Sequence, residues 1–232
     1  MKKYLNLKVL ITSAILILCA MCMAVSSGKS TKSGRGVYAG VDHSGFDQVI
    51  YLRDDGTYTE ELDKADWKTR VDGTYTISGN KLITTDKKGI KDEYEYTTAD
   101  KNAMLAPGSF YMFKAQIPKN KIPDGVYSFY VGTVSGSAGI GVSGAGGNGY
   151  IKFEGNRFIE YSGSFSSMST SSAEGGSSSS NKASGTYTIN NGDLTLKYNN
   201  GTVKRHSFFY VPPTSSGKGA MVVLDGSIYY AD

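Results

Sequence analysis

Cysteine is absent outside one N-terminal stretch: both copies, Cys19 and Cys22, fall within the first 25 residues. Removal of that stretch excludes disulfides and thiol chemistry, even in an oxidising compartment. Histidine is nearly as scarce, with two in 232 residues. Two histidines without cysteine do not make a typical zinc site. No sustained 3.6-residue apolar period follows the N-terminal stretch, which argues against a helical architecture. Charge is thin as well. Without Lys2, Lys3 and Lys8, 22 basic residues face 21 acidic ones, about +1. So small a charge leaves no footprint for nucleic acid and no polybasic patch for a membrane surface.

What is present is β-forming. The chain holds 17 Tyr, 9 Phe and 29 Gly against 5 Pro; Tyr, Thr, Val and Ile between Gly/Asn turns are sheet composition. The N-terminus has the layout of a secretory signal peptide over residues 1–25: a basic start, an uncharged run from Val9 to Val25, and small residues near Ala24. The rival is an uncleaved membrane anchor through residues 9–25, which is slightly short for a span of roughly 20 residues. Leu18 and Met21, just before the cysteines, are not the small residues a lipidated Cys requires. The expected location is therefore exported: periplasmic, secreted or at the cell surface. Residues 26–35 read as a flexible spacer.

The rest is organised around a word that occurs twice. Gly73-Thr74-Tyr75-Thr76-Ile77 and Gly185-Thr186-Tyr187-Thr188-Ile189 both read GTYTI. Each is followed by a Gly/Asn turn and a second alternating run. Leu82 then aligns with Leu194, Gly89 with Gly201 and Tyr96 with Phe208. Gly36-Val37-Tyr38 and Gly125-Val126-Tyr127 open the two halves. Each half carries seven or eight short strand candidates joined by tight turns. The expected fold is all-β: two tandem antiparallel meanders, small and barrel-like, over residues 36–115 and 124–232. Residues 116–123, with two of the five prolines, read as the linker. Two segments of the second unit read as mobile: the Gly-rich stretch 136–149 as a loop and residues 162–184, with 12 Ser in 23, as an insertion.

These openings, the hairpin Arg53-Asp54-Asp55-Gly56-Thr57-Tyr58, and the strings GTYTISGNKL and GTYTINNGDLTL resemble bacterial lipocalin-like exported domains. The resemblance covers roughly residues 36–115 and 124–231. It implies a barrel that binds small apolar ligands. Alternation places Tyr75, Ile77, Tyr187 and Ile189 inward and their threonine neighbours outward.

No motif names a reaction. Gly139-x-Gly141-x-x-Gly144 matches a dinucleotide fingerprint, but no helix follows to receive a pyrophosphate. Asp42-His43-Ser44 is a run of neighbours, whereas a triad is assembled from distant positions. His206 aligns with Tyr94 and reads as a sheet residue. Asp54-Asp55 reads as a hairpin turn and Glu60-Glu61 as a polar strand rather than as paired catalytic carboxylates. No cofactor, metal or catalytic residue is assigned, and an enzyme is not expected. The aromatic residues carry the binding expectation. Tyr75, Tyr94, Tyr96, Tyr187 and Tyr198 are the candidate ligand-binding residues, against the competing reading that strand tyrosines simply pack. The expected function is a non-enzymatic binding module for a small apolar ligand or a glycan. The alternative is an exported inhibitor or protein-interaction domain at the cell surface.

Overall fold

A computed structural model describes residues 34–96, 103–137, 141–169, 174–213 and 219–232; within 130–137, 141–146, 165–169 and 174–176 only the backbone is described. The leader, both cysteines and most of the spacer lie outside these residues. The described chain is all-β and forms two closed eight-stranded barrels. The first comprises β1 (Gly36–Val41), β2 (Asp47–Leu52), β3 (Thr57–Thr59), β4 (Gly73–Ser78), β5 (Lys81–Asp86), β6 (Lys91–Tyr96), β7 (Ala103–Ala106) and β8 (Phe110–Ala115). The second comprises β9 (Gly125–Ser137), β10 (Gly141–Glu154), β11 (Arg157–Ser169), β12 (Glu174–Asn190), β13 (Asp193–Tyr198), β14 (Val203–Val211), β15 (Met221–Leu224) and β16 (Ser227–Ala231). Both are antiparallel meanders in which the last strand closes on the first, through Val37 opposite Ala115 and Ala231 opposite Tyr127.

The two GTYTI words occupy like places. Ile77 pairs with Leu82 on β5, and Ile189 pairs with Leu194 on β13. In each word the Tyr is buried and the two threonines are exposed, as alternation along a half-wet strand requires. Both interiors are filled by their own side chains. Tyr38, Ile50, Leu52, Tyr58 and Leu82 pack inside the first barrel. Phe153, Phe158, Tyr187, Leu196 and Phe208 pack inside the second. An eight-stranded barrel is just wide enough for this.

A third apolar cluster lies between the barrels. Val37, Ala39, Val49 and Phe113, on the outer face of the first barrel, meet Phe209, Val211, Met221 and Val223 on the outer face of the second. Leu62 and Trp67, in the long connection from β3 to β4, join the same cluster. Strands in this seam are buried on both faces, so β15 reads as an unbroken apolar run and β1 nearly so, while β4, at the wet side, alternates. The segment read as a linker is packed. Gln116 exchanges two backbone hydrogen bonds with Tyr210, at 2.7 and 3.0 Å. It covers the stretch of β14 that runs past the end of β13, so backbone groups there are not left unpaired. Ile122 is fully buried among the second barrel's aromatics, and its N–H donates to the Tyr187 hydroxyl at 3.3 Å.

The Gly-rich stretch read as a loop and the Ser-rich stretch read as an insertion are paired strand wherever they are described; residues 138–140 and 170–173 lie outside the described residues. Residues 141–149 belong to β10. Residues 162–169 lie in β11 and residues 174–184 in β12. Backbone pairing runs from Glu154↔Arg157 out to Val142↔Ser169 between β10 and β11, and from Arg157↔Thr186 to Ser169↔Glu174 between β11 and β12. Together with β9 they make a four-stranded ribbon rising from one end of the second barrel. Composition misleads here because main-chain ladder hydrogen bonds need no apolar side chain.

Candidate functional site

The five candidate tyrosines do not form an exposed aromatic face. Tyr75, Tyr94, Tyr187 and Tyr198 are buried and Tyr96 is half-buried. Tyr75 donates its hydroxyl to the Arg53 carbonyl, and Tyr187 donates to the Gly155 carbonyl at 3.0 Å. Each thus locks the hairpin turn beneath its barrel. Tyr96 donates to the Gly34 carbonyl at 3.1 Å and seals the same end of the first barrel. Burial pushes the phenols of Tyr75, Tyr94, Tyr96, Tyr187 and Tyr198 upward. All five are therefore neutral donors at physiological pH.

Tyr198 differs from the others by its position. It forms the floor of a cup of about 210 Å³ where the second barrel opens beneath the ribbon. Its ring packs edge-on against Phe158, with centroids 5.0 Å apart, and closes off the filled interior. Its hydroxyl donates to Glu160 Oε2 at 2.6 Å, and Lys204 Nζ lies 5.1 Å from its ring centre. Ser162, Asn181, Ala183, Asn200 and Thr202 complete the wall. The cup offers a carboxylate, an ammonium, two amides and hydroxyls, groups that orient a polar ligand, around one aromatic floor.

Sequence reasoning missed Glu160, Lys204 and the asparagines. A signal for Glu160 was available: it stands two residues after Phe158, so it shares the inward face of β11 and places an acid on an apolar side. The first barrel has the same pattern at Tyr58 and Glu60. Its mouth, about 320 Å³, carries Glu60, Asp92 and Asp42 above Tyr94 and Phe110. Glu60 is raised by desolvation and then by the charges of Asp72, Asp92 and Asp86.

The other singled-out groups hold structure together. The Asp42 carboxylate accepts from the Ser44 and Phe46 N–H groups at 2.8 and 3.0 Å, leaving His43 exposed on the turn. Asp54 pairs with Arg35 at 3.0 Å, Asp55 caps its own turn through Thr57, and Glu61 pairs with Arg70. The Gly141–Gly144 part of the dinucleotide-like string is strand. His206 stands opposite Leu194, as Tyr94 stands opposite Leu82, and its Nδ1 meets Asp225 Oδ2 at 2.6 Å. No His/Cys/Asp/Glu group among the described residues is arranged to hold a metal ion.

The model of the lipocalin-like domain family matches residues 120–211, from the joining segment to the end of β14. Over those residues, six strands of the closed eight-stranded meander, the second barrel is similar to the lipocalin-like domain, as its strand strings indicated. The lipocalin-like fold is in general a non-enzymatic, small-ligand-binding one. No curated protein and no solved structure matches the chain.

Proposed function

We propose that the chain is an exported, non-enzymatic binding module whose second barrel holds a small hydroxylated ligand in the cup above Tyr198. The observation that carries this reading is the floor itself: Tyr198 is held by Glu160 and flanked by Lys204, over a barrel already filled with aromatic rings. Of the two ligand classes expected from the sequence, the glycan-like one fits better. An apolar chain needs an empty barrel, whereas this cup is lined mainly by hydrogen-bonding groups. At about 210 Å³ it is also smaller than the roughly 300–1,000 Å³ typical of sites that enclose a drug-sized molecule. The leader and near-neutral charge support export without a nucleic-acid partner.

Native mass spectrometry of the protein from its own host tests the reading. The expected result is a small polar adduct that Glu160→Gln and Tyr198→Phe each weaken. A fatty acid or other long apolar adduct, released by Tyr198→Ala, would overturn it.

One observation favours a protein-interaction reading as the second choice. Residues 174–183 of β12 pair with β11, and β13 begins to pair only at Gly185, so this ribbon has an open edge among the described residues. The Lys182 N–H faces that open edge, since the Ser184 carbonyl two residues on accepts from Asn199 on the β13 side. A partner bound by strand addition would be lost on Lys182→Pro, which removes that backbone donor.

A further inference from the structure

We propose that the cleft between the two barrels is a second binding site, and that it takes a hydroxylated ligand bearing a single carboxylate, an acidic sugar. The cleft has a volume of about 550 Å³, larger than either barrel mouth. One wall is the outer face of three adjacent strands of the second barrel. The other is the β3–β4 connection of the first barrel, which contributes Trp67, Lys64 and Lys68.

Strand register turns the first wall into a grid of polar side chains. Thr188, Thr195 and Arg205 stand side by side across β12, β13 and β14; Asn190, Asp193 and Ser207 form the next row. Neighbouring strands lie about 4.8 Å apart and alternate residues about 6.6 Å apart along a strand. The hydroxyls and the amide of this grid both donate and accept, as the hydroxyls of a sugar do.

Charge selects the anionic group. Each acid in the cleft is engaged: Asp193 by Lys68, Asp63 by Lys64 at 2.6 Å, and Asp225 by the His206 ring and the Ser207 N–H. Among the described residues Arg205 is in no ion pair, and it is exposed. A guanidinium takes one carboxylate through two parallel hydrogen bonds. The three aspartates in the walls disfavour a dianion such as phosphate.

Ser207 is the second, independent observation. It is 2% exposed, and its Oγ has no hydrogen-bond partner among the described residues. Buried hydroxyls are nearly always paired. Its N–H is already held by Asp225 at 2.8 Å, so the hydroxyl serves no contact within the barrel. A ligand oxygen, reached by a small movement of the cleft floor, completes it.

Isothermal titration of the chain lacking residues 1–25, with D-glucuronate, D-glucose, acetate and inorganic phosphate, tests the proposal. Glucuronate is expected to bind more tightly than the other three. Arg205→Gln, an exposed change, should weaken glucuronate about tenfold, the scale of one charge-assisted pair, and leave glucose nearly unaffected. Ser207→Ala should weaken glucuronate while the melting temperature holds or rises, because removing an unpaired buried hydroxyl relieves a cost. A purely structural serine would show the reverse. The proposal falls if glucuronate gives no binding heat, if phosphate binds better, or if Arg205→Gln has no effect. It also falls if Glu160→Gln, in the barrel cup, abolishes glucuronate binding, since the ligand would then sit there.

Discussion

Trp67 of the first barrel's β3–β4 connection packs edge-on against Phe209 of the second barrel, with ring centroids 5.2 Å apart and planes at 86°. Tyr51 lies 5.7 Å away on the same indole, and the Arg53 guanidinium donates to the Trp67 carbonyl at 2.6 Å. One side chain thus ties a connection, two strands and two barrels together. Trp67→Ala should cost about 3–5 kcal/mol, as truncation of a buried aromatic does. Urea unfolding followed by far-UV circular dichroism should show both barrels destabilised in one transition. A variant in which only part of the signal shifts would show that the seam does not couple them.

The glycine that opens each GTYTI word is required by a close approach. At Gly185 a Cβ would collide with the Lys197 carbonyl and come within 2.9 Å of the Phe158 ring. At Gly73 it would collide with the Thr85 carbonyl and come within 2.6 Å of Tyr58. Each glycine faces that aromatic across the ladder, so the ring covers the backbone the glycine leaves bare. Gly185→Ala and Gly73→Ala should each cost about 1–3 kcal/mol through overpacking. Gly219→Ala, with nothing within 4 Å, should stay within about 0.5 kcal/mol. Chemical denaturation of the three variants checks the ranking.

These elements show how far the sequence could be read. Period-2 alternation at Thr74, Tyr75 and Thr76, and at Thr186, Tyr187 and Thr188, discloses which face is inward, because one face of those strands meets water. The same logic is silent in the seam. Val37, Tyr38 and Ala39 are all buried, and a run without alternation does not say what covers its second face. The partnership of the barrels was therefore hidden although its residues were in plain view. The ribbon was hidden for the opposite reason: Ser and Gly carry no apolar period, and their strands are held by main-chain pairing. Of the cup, Tyr198 was legible as an aromatic in a strand. Glu160, Asn181 and Lys204 come from three strands, and only barrel closure brings them together.

Asp72 closes the connection that carries Trp67, and it makes that connection sensitive to acid. Its carboxylate accepts from Thr59 Oγ at 2.5 Å and from the Glu60 N–H at 2.9 Å. Desolvation alone would raise it, but these hydrogen bonds and the Arg70 charge outweigh burial and hold it below its ordinary 3.8. A carboxyl lowered in the folded state contributes stability that is present above its unfolded value and lost as pH falls through the folded one. The wild type should lose stability progressively on acidification below about pH 4, the unfolded aspartate range. Asp72→Asn should be less stable at neutral pH and show a shallower acid limb. Urea midpoints measured across the acid range check this; parallel limbs for the two proteins would exclude Asp72 as a contributor.

The ribbon offers the sharpest separation of stability from binding. Of its described side chains on β11 and β12, the second barrel's packed interior takes in Phe158 and Ala183 but none further out. Ser164 and Ser179 are opposite each other across the ladder, with hydroxyls 2.8 Å apart. They form a hydrogen-bonded pair of the alternating antiparallel pattern, so residues 165–178 can be replaced by Asn-Gly, a two-residue hairpin turn, without changing register. Surface changes away from a core stay within about 0.5 kcal/mol, which for a chain of this size moves the melting temperature by about 1–2 °C. A fall of many degrees would show that the distal ribbon packs on something. The cup residues Ser162, Asn181 and Ala183 all lie on the barrel side of the cut. The small polar adduct expected in native mass spectrometry should therefore survive the shortening. Its loss, with the melting temperature unchanged, would move the binding site from the cup out onto the ribbon.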